Sequence, residues 1–147
     1  RSNFIVGYPG ETEEDHDQLL DFVAQAQLDW CGFFAYSNEE GTYAAGLDKH
    51  VDPRLMHERL AELRDLQDEI TAGRRDALIG TDVHVLVDAP GVARSHREAP
   101  EIDGIIHVCD DVPVGELTTV RIADALGPDL VAVGVDVAAL DASDGSD

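Results

Sequence analysis

The chain has 147 residues, 44% of them hydrophobic, and 31 acidic against 10 basic side chains give it a formal net charge of −21. That length suits one domain or two small ones, and the apolar content suffices for a core. Neutralising phosphate requires Lys and Arg, so the acidity speaks against nucleic-acid binding and for a basic protein partner, unless it reflects an acidic proteome or a halophilic source.

No apolar run approaches membrane-spanning length, and no signal-peptide pattern is present. Cys31 and Cys109 are isolated, which excludes a disulfide framework and fits a reducing cytoplasm. Neither belongs to a C-x-x-C or C-x-x-x-C-x-x-C cluster, so this chain alone offers no thiolate metal site. Arg1 stands immediately before a strand pattern, and the reading expects a further portion of protein ahead of it.

Residues 4–6 predict a short buried strand that runs through a glycine turn at residues 7–10 into a helix. Gly7 and Gly10 admit backbone angles closed to other residues, and Pro9 stiffens the connection. Thr12 is the expected N-cap with Asp15 completing a capping box, and Glu13, Glu14 and Asp15 set negative charge in the first turn. Leu19, Leu20, Phe22, Val23 and Ala26 recur at helical spacing, ending near Gln27. Residues 30–36 are apolar nearly throughout, as in a strand of a parallel sheet covered on both faces. Strand, helix, strand with short joints is a βαβ unit, so the turn at 7–10 and the polar loop at 37–45 converge on one edge. Tyr36 and Ser37 line that edge, and no G-x-S-x-G elbow or neighbouring base makes them catalytic.

Asp52 and Pro53 start a second helix, whose stripe of Leu55, Met56, Leu60, Leu63, Leu66 and Ile70 is a packing face. Gly73 is expected to loosen it. From residue 79 the pattern changes to period two: Val83, Val85 and Val87 alternate with Asp82, His84 and Asp88. Further strands are expected around residues 92–96, 105–109, 117–123 and 130–135, with turns between them. Five short strands in about 65 residues suit a small closed barrel of the oligonucleotide-binding (OB) type. The scattered histidines, His84, His96 and His107 among them, lack metal-ligand spacing, and no phosphate-loop or dinucleotide fingerprint occurs.

Three blocks carry a family resemblance. FIVGYPGETEED at residues 4–15, with FAYS at 34–37 and EGTYAA at 40–45, resembles the end of the radical S-adenosylmethionine (SAM) barrel of methylthiotransferases. The following helix and barrel resemble that family's linker and TRAM domain, and ARSHREAPEIDG at 93–104 resembles the RimO-type branch that methylthiolates an aspartate of a small-subunit ribosomal protein. The implied fold is α/β followed by all-β. It comprises the last two βα units of a TIM-like radical SAM barrel (1–52), a linker helix (53–78), a five-stranded OB-like TRAM barrel (79–140) and a disordered acidic tail (141–147).

The resemblance implies SAM and two 4Fe–4S clusters in the full-length enzyme, whose cysteine ligands lie outside this chain. The whole enzyme would cleave SAM reductively, abstract hydrogen from the aspartate β-carbon and insert a methylthio group; the fragment alone would be inactive, with no catalytic and no metal-ligating residue. Ile5 and Gly7 match the signature that packs near the SAM adenosine, and Tyr36 matches the mouth of that pocket. Gly10 stands where the signature has its acidic residue and Glu11 follows it, so Glu11 receives no role. From Leu78 onward three arginines, Arg94, Arg97 and Arg121, face 14 acidic residues, a balance of −11. A TRAM domain gripping transfer RNA should be basic, whereas one docking a basic ribosomal protein should be acidic. Glu98, Glu101 and Asp103 are the docking candidates. Two rival readings are a transfer-RNA adenosine methylthiotransferase and a non-catalytic TRAM-type binding module.

Overall fold

The structure, a computed structural model, describes residues 1–143 and parts into two units between Thr71 and Ala72. In the first unit β1 (Ser2–Val6) and β2 (Cys31–Ala35) pair in parallel, from Ser2 beside Cys31 to Val6 beside Ala35. Parallel neighbours need a crossover, which α1 (Glu13–Ala26) supplies. Helix α1 starts on the expected capping box: the Asp15 N–H donates to Thr12 Oγ1 at 3.1 Å, and Asp15 Oδ2 accepts from the Thr12 N–H at 2.9 Å. Hydrogen bonding to the carboxyl from Thr12, its backbone N–H first, holds the Asp15 carboxyl below its ordinary value. The helix ends where Gln27 turns left-handed at φ 49°.

After the single 3₁₀ turn Ala44–Gly46, helix α2 (Pro53–Asp76) carries the chain from the first unit into the second. It is capped by Asp52 Oδ1, which accepts from the Arg54 N–H at 2.9 Å, and it runs unbroken across Gly73, correcting the expected loosening. Intact hydrogen bonds on both sides carry a single glycine at a cost of about 1 kcal/mol. Leu60, Leu63 and Ile70 pack with Val6, Val23 and Phe33 into the first core. The same helix also carries polar groups inward. Gln67 Nε2 donates to Leu28 O at 2.8 Å, Thr71 Oγ1 to Asp29 O at 2.8 Å and Arg64 Nη2 to Phe33 O at 2.9 Å. These hydrogen bonds tie α2 to carbonyls at and before β2.

The expectation that β2 is covered on both faces does not hold within the described residues. Phe33 is buried, but Phe34 is 54% exposed and its register partner Ile5 is 64% exposed. Helices α1 and α2 cover one face of the strand pair and leave the other open.

The second unit is a closed barrel with strand order β3 (Asp82–Ala89), β4 (Val92–Arg94), β5 (Ile106–His107), β7 (Asp129–Ala132), β6 (Leu117–Leu126). The β5–β7 pair is parallel and every other pair is antiparallel. Period-two alternation sends Val83, Val85 and Val87 inward against Ala93, Ile106, Ile122 and Leu130. Closure gives each barrel strand two neighbours, the standard solution for so small a sheet. Breaks in register between Val87 and Ala89 and between Ile122 and Asp124 supply the bends that closure needs. At Gly104 a Cβ would lie 2.5 Å from Pro128 O, so only glycine lets the backbone pass there into β5. The chain continues into α3 (Val137–Ser143). Residues 141–143 of the expected disordered tail are therefore helical, and its remainder, 144–147, lies outside the described residues.

Replacing fully buried Ile122 by Ala should lower unfolding stability by about 3 kcal/mol, and Gly104→Ala by about 1–3 kcal/mol through overpacking against backbone. Denaturant unfolding with exposed Val133→Ala as control, shifted by less than about 0.5 kcal/mol, checks both.

Candidate functional site

The carboxyl ends of β1 and β2 lie side by side, so the loops that leave them share one edge. Gly7 turns left-handed at φ 84°, and a Cβ there would lie 2.6 Å from Met56 Cγ. The Gly7 N–H leaves the strand pairing and donates to Glu11 Oε2 at 2.7 Å. Gly10 N–H donates to Lys49 O at 2.9 Å, tying the turn to the chain ahead of α2, and the Tyr36 N–H donates to Val6 O at 2.8 Å. The Tyr36 ring lies between Tyr8 and His50, with centroids 5.6 and 6.2 Å away.

The edge thus combines three properties. Ile5 and Phe34 present an open apolar surface, the Gly7 turn offers backbone without a side chain, and the buried Tyr36 hydroxyl has no hydrogen-bond partner among the described residues. A buried hydroxyl without a partner costs about 1–3 kcal/mol. Ile5, Gly7 and Tyr36 therefore fall in one region, joined by Phe34, Tyr8 and His50, which sequence reading did not single out.

Glu11, assigned no role from sequence, is at the centre of the polar geometry. Its Oε1 accepts from Arg59 Nη1 at 2.8 Å, and Arg59 Nη2 reaches Glu13 Oε1 at 2.7 Å. The Arg59 side chain is 4% exposed and that of Glu11 13%. Burial alone would lower the Arg59 pKa, but hydrogen bonds to Glu13 and Glu11 outweigh it and hold the guanidinium above its ordinary value. The hydrogen bond from Arg59, aided by its charge, likewise holds the exposed Glu13 carboxyl low. Only an arginine at that position of α2 could have signalled this, and its distance of 48 residues from Glu11 hides it in one dimension.

Among the described residues no group of three or more His, Cys, Asp or Glu side chains could hold a metal ion. Burial raises the Cys31 thiol pKa, which opposes the thiolate that an iron–sulfur site needs. The residues present do not fit a cluster.

In the second unit the three docking candidates part company. Glu98 is buried with its side chain 3% exposed, and its carboxylate is fully engaged. Oε2 accepts from the Ser95 N–H at 2.8 Å and the Ser95 hydroxyl at 2.6 Å, while Oε1 accepts from equally buried Arg97 at 3.0 Å. Glu98 is therefore a buried counter-charge to Arg97, not the solvated surface acid that its sequence context suggested. Asp103 is half-buried and accepts from the Ala99 N–H at 2.8 Å. Glu101 is exposed at φ 62°, next to Ile102, which is 68% exposed. Both acids help shape the loop before β5, beside a cavity of about 350 Å³ that Asp88, Pro100, Glu101 and Ile105 help line.

All three barrel arginines pair with barrel carboxylates: Arg94 with Asp88 at 2.9 Å, Arg97 with Glu98, and Arg121 with Asp82 at 2.8 Å. Asp110, Asp111, Glu116, Asp124 and Asp136 add further exposed negative charge. The acidic balance read from sequence is therefore sharpened at the surface.

Glu98→Ala should cost about 3–5 kcal/mol by leaving Arg97 buried without that carboxylate, whereas Glu101→Ala should stay within about 0.5 kcal/mol. Denaturant unfolding of the two variants separates internal from surface acid.

A family model for the TRAM domain matches residues 79–135. Similarity to named proteins extends over both units. The chain is 46% identical over 123 residues to the ribosomal protein uS12 methylthiotransferase RimO of Moorella thermoacetica, an alignment covering 83% of the chain and 28% of that protein. It is 45% identical over 137 residues to the enzyme of the same name from Cutibacterium acnes, covering 90% and 28%. To that from Stenotrophomonas maltophilia it is 45% identical over 152 residues, covering 98% and 34%. The chain thus spans about a third or less of the length of these curated relatives. It belongs to the RimO-type methylthiotransferase family, whose C-terminal part, TRAM domain included, it matches.

Proposed function

We propose that this chain is the C-terminal portion of a cytoplasmic radical SAM enzyme that methylthiolates the β-carbon of an aspartate in ribosomal protein uS12. The observation that carries the reading is the match to uS12 methylthiotransferases across the strand–turn–helix unit and the barrel together. In this reading Ile5 and Phe34 form an apolar wall for SAM, the Gly7 turn sets the backbone path beside that wall while Met56 fills the space next to its α-carbon, and Tyr36 lies at the mouth. SAM and two 4Fe–4S clusters supply the radical and methylthio chemistry in the full-length enzyme. The clusters are held by cysteines in other parts of the protein, so the fragment is inactive alone. This chain's own residues bind and orient; none is assigned a proton-transfer step.

The barrel docks the basic substrate protein through its acids, exposed Glu101 and half-buried Asp103 among them, with Ile102 as an apolar contact between them. A transfer-RNA substrate is disfavoured because each barrel arginine already pairs internally, leaving little cationic surface for phosphate. No helix among the described residues is long and apolar enough to cross a membrane, and membrane partners have no part in the reading.

Incubating the full-length, cluster-reconstituted enzyme with SAM, a one-electron reductant, a sulfide source and uS12 should yield methylthio-aspartate by mass spectrometry. Methylthiolated transfer RNA with unmodified uS12 would overturn the proposal. Separately, Glu101→Lys combined with Asp103→Lys should weaken uS12 binding at low salt by about tenfold, the size of effect that one or two surface charges exert on association. Affinity equal to that of the unaltered enzyme would remove these acids from the docking surface.

A further inference from the structure

We propose that Glu11 is a positioning residue for SAM: it acts on the ligand through the Gly7 backbone, and Arg59 holds it in place. The inference rests on the reading that the Gly7 turn faces SAM. A left-handed residue at a strand end aims its N–H out of the ladder, and that donor must find another acceptor. Glu11 Oε2 supplies it at 2.7 Å. A carboxylate so nearly buried needs a counter-charge, and Arg59 Nη1 provides one at 2.8 Å from Oε1. Both carboxylate oxygens are thereby engaged with protein. What it fixes is the orientation of the Gly7 peptide.

Two further contacts give that peptide little freedom. Met56 closes off the space beside the Gly7 α-carbon, and the second arm of Arg59 clamps Glu13 in the first turn of α1. A single guanidinium on α2 therefore sets the exit of β1 against the entry of α1. Ile5, on the open face, lies two residues before the fixed peptide, so a rotation of that peptide would be felt at the apolar wall. Ligand sites held within about 0.5 Å by supporting hydrogen bonds lose affinity when the support goes, even where no contact residue changes.

The test uses the full-length, cluster-reconstituted enzyme and reads SAM affinity by calorimetry beside melting temperature and uS12 affinity. In Glu11→Gln one amide oxygen faces two donors, the Gly7 N–H and Arg59, so one donor is left without its acceptor. SAM affinity should fall about tenfold while uS12 affinity stays within twofold. Leu63→Ala, a deletion in the core of the same unit, should lower the melting temperature at least as much and leave SAM affinity within twofold. Equal loss of SAM affinity in both variants would reduce Glu11 to a general stabiliser and overturn the inference.

Gly7→Ala separates the inference from the reading beneath it. Weakened SAM binding in Gly7→Ala with normal binding in Glu11→Gln would keep Gly7 at the SAM site and sink the role of Glu11. No change in either would sink both. Should Glu11→Gln fail to fold, Arg59→Lys carries the same test. One ammonium cannot hold Glu11 and Glu13 as the guanidinium fork does, and SAM affinity should drop severalfold; an unchanged value would overturn the inference.

Discussion

A guanidinium that leaves water must bring its acceptors with it, and the first unit is arranged around that demand at Arg59. Removing one partner from such a group costs more than the pair contributes when intact, because the remaining charge is then stranded. The Arg59–Glu11–Glu13 cluster is thus weak evidence for overall stability; what its geometry shows is one guanidinium bridging two carboxylates. It admits one angle between strand exit, helix entry and α2, and it penalises the alternatives. The apolar contacts of Leu60, Leu63 and Ile70 supply the larger driving force but tolerate small rotations.

The barrel repeats the device on a smaller scale. Arg97 and Glu98 are adjacent in sequence, equally buried, and locked by Ser95 into the segment leading to β5. The remaining arginines neutralise Asp82 and Asp88 at the outer surface, so the excess acids project toward solvent. The hydrogen bond from Arg121 holds Asp82 below its ordinary value, and the mutual pairing raises Arg121. Charge here is sorted by depth. Balanced pairs hold loops and strands, and the unbalanced remainder faces outward as a surface field of one sign.

Local rules made much of the fold legible. Thr12 with Asp15, Asp52 with Pro53, and the alternation of Val83, Val85 and Val87 each depend on neighbours within a few residues, and all appear in the structure as read. What failed depends on distance in sequence. Glu98 looked like one more surface acid because nothing in its spacing distinguishes a carboxylate facing Ser95 and Arg97 from one facing water. The open face of β2 was missed because an apolar strand reads the same whether or not the chain at hand supplies its cover. Ile5, Gly7 and Tyr36 were singled out by a local signature and share one sheet edge, while Glu11 and Arg59 lie 48 residues apart and meet only in three dimensions.

The shortness of β5 has a kinetic meaning. Two residues, Ile106 and His107, join the antiparallel side of the barrel to its only parallel pair among the described strands. The β3–β4 hairpin can form early because its strands are neighbours in sequence, as can β6–β7. The closing seam must instead bring Ile106 to Leu130 and Val92 to His107, gaining few backbone bonds for each loop ordered. β5 is thus the thinnest seam of the barrel, and Gly104 and the buried Glu98 pair lie in the segment that leads into it.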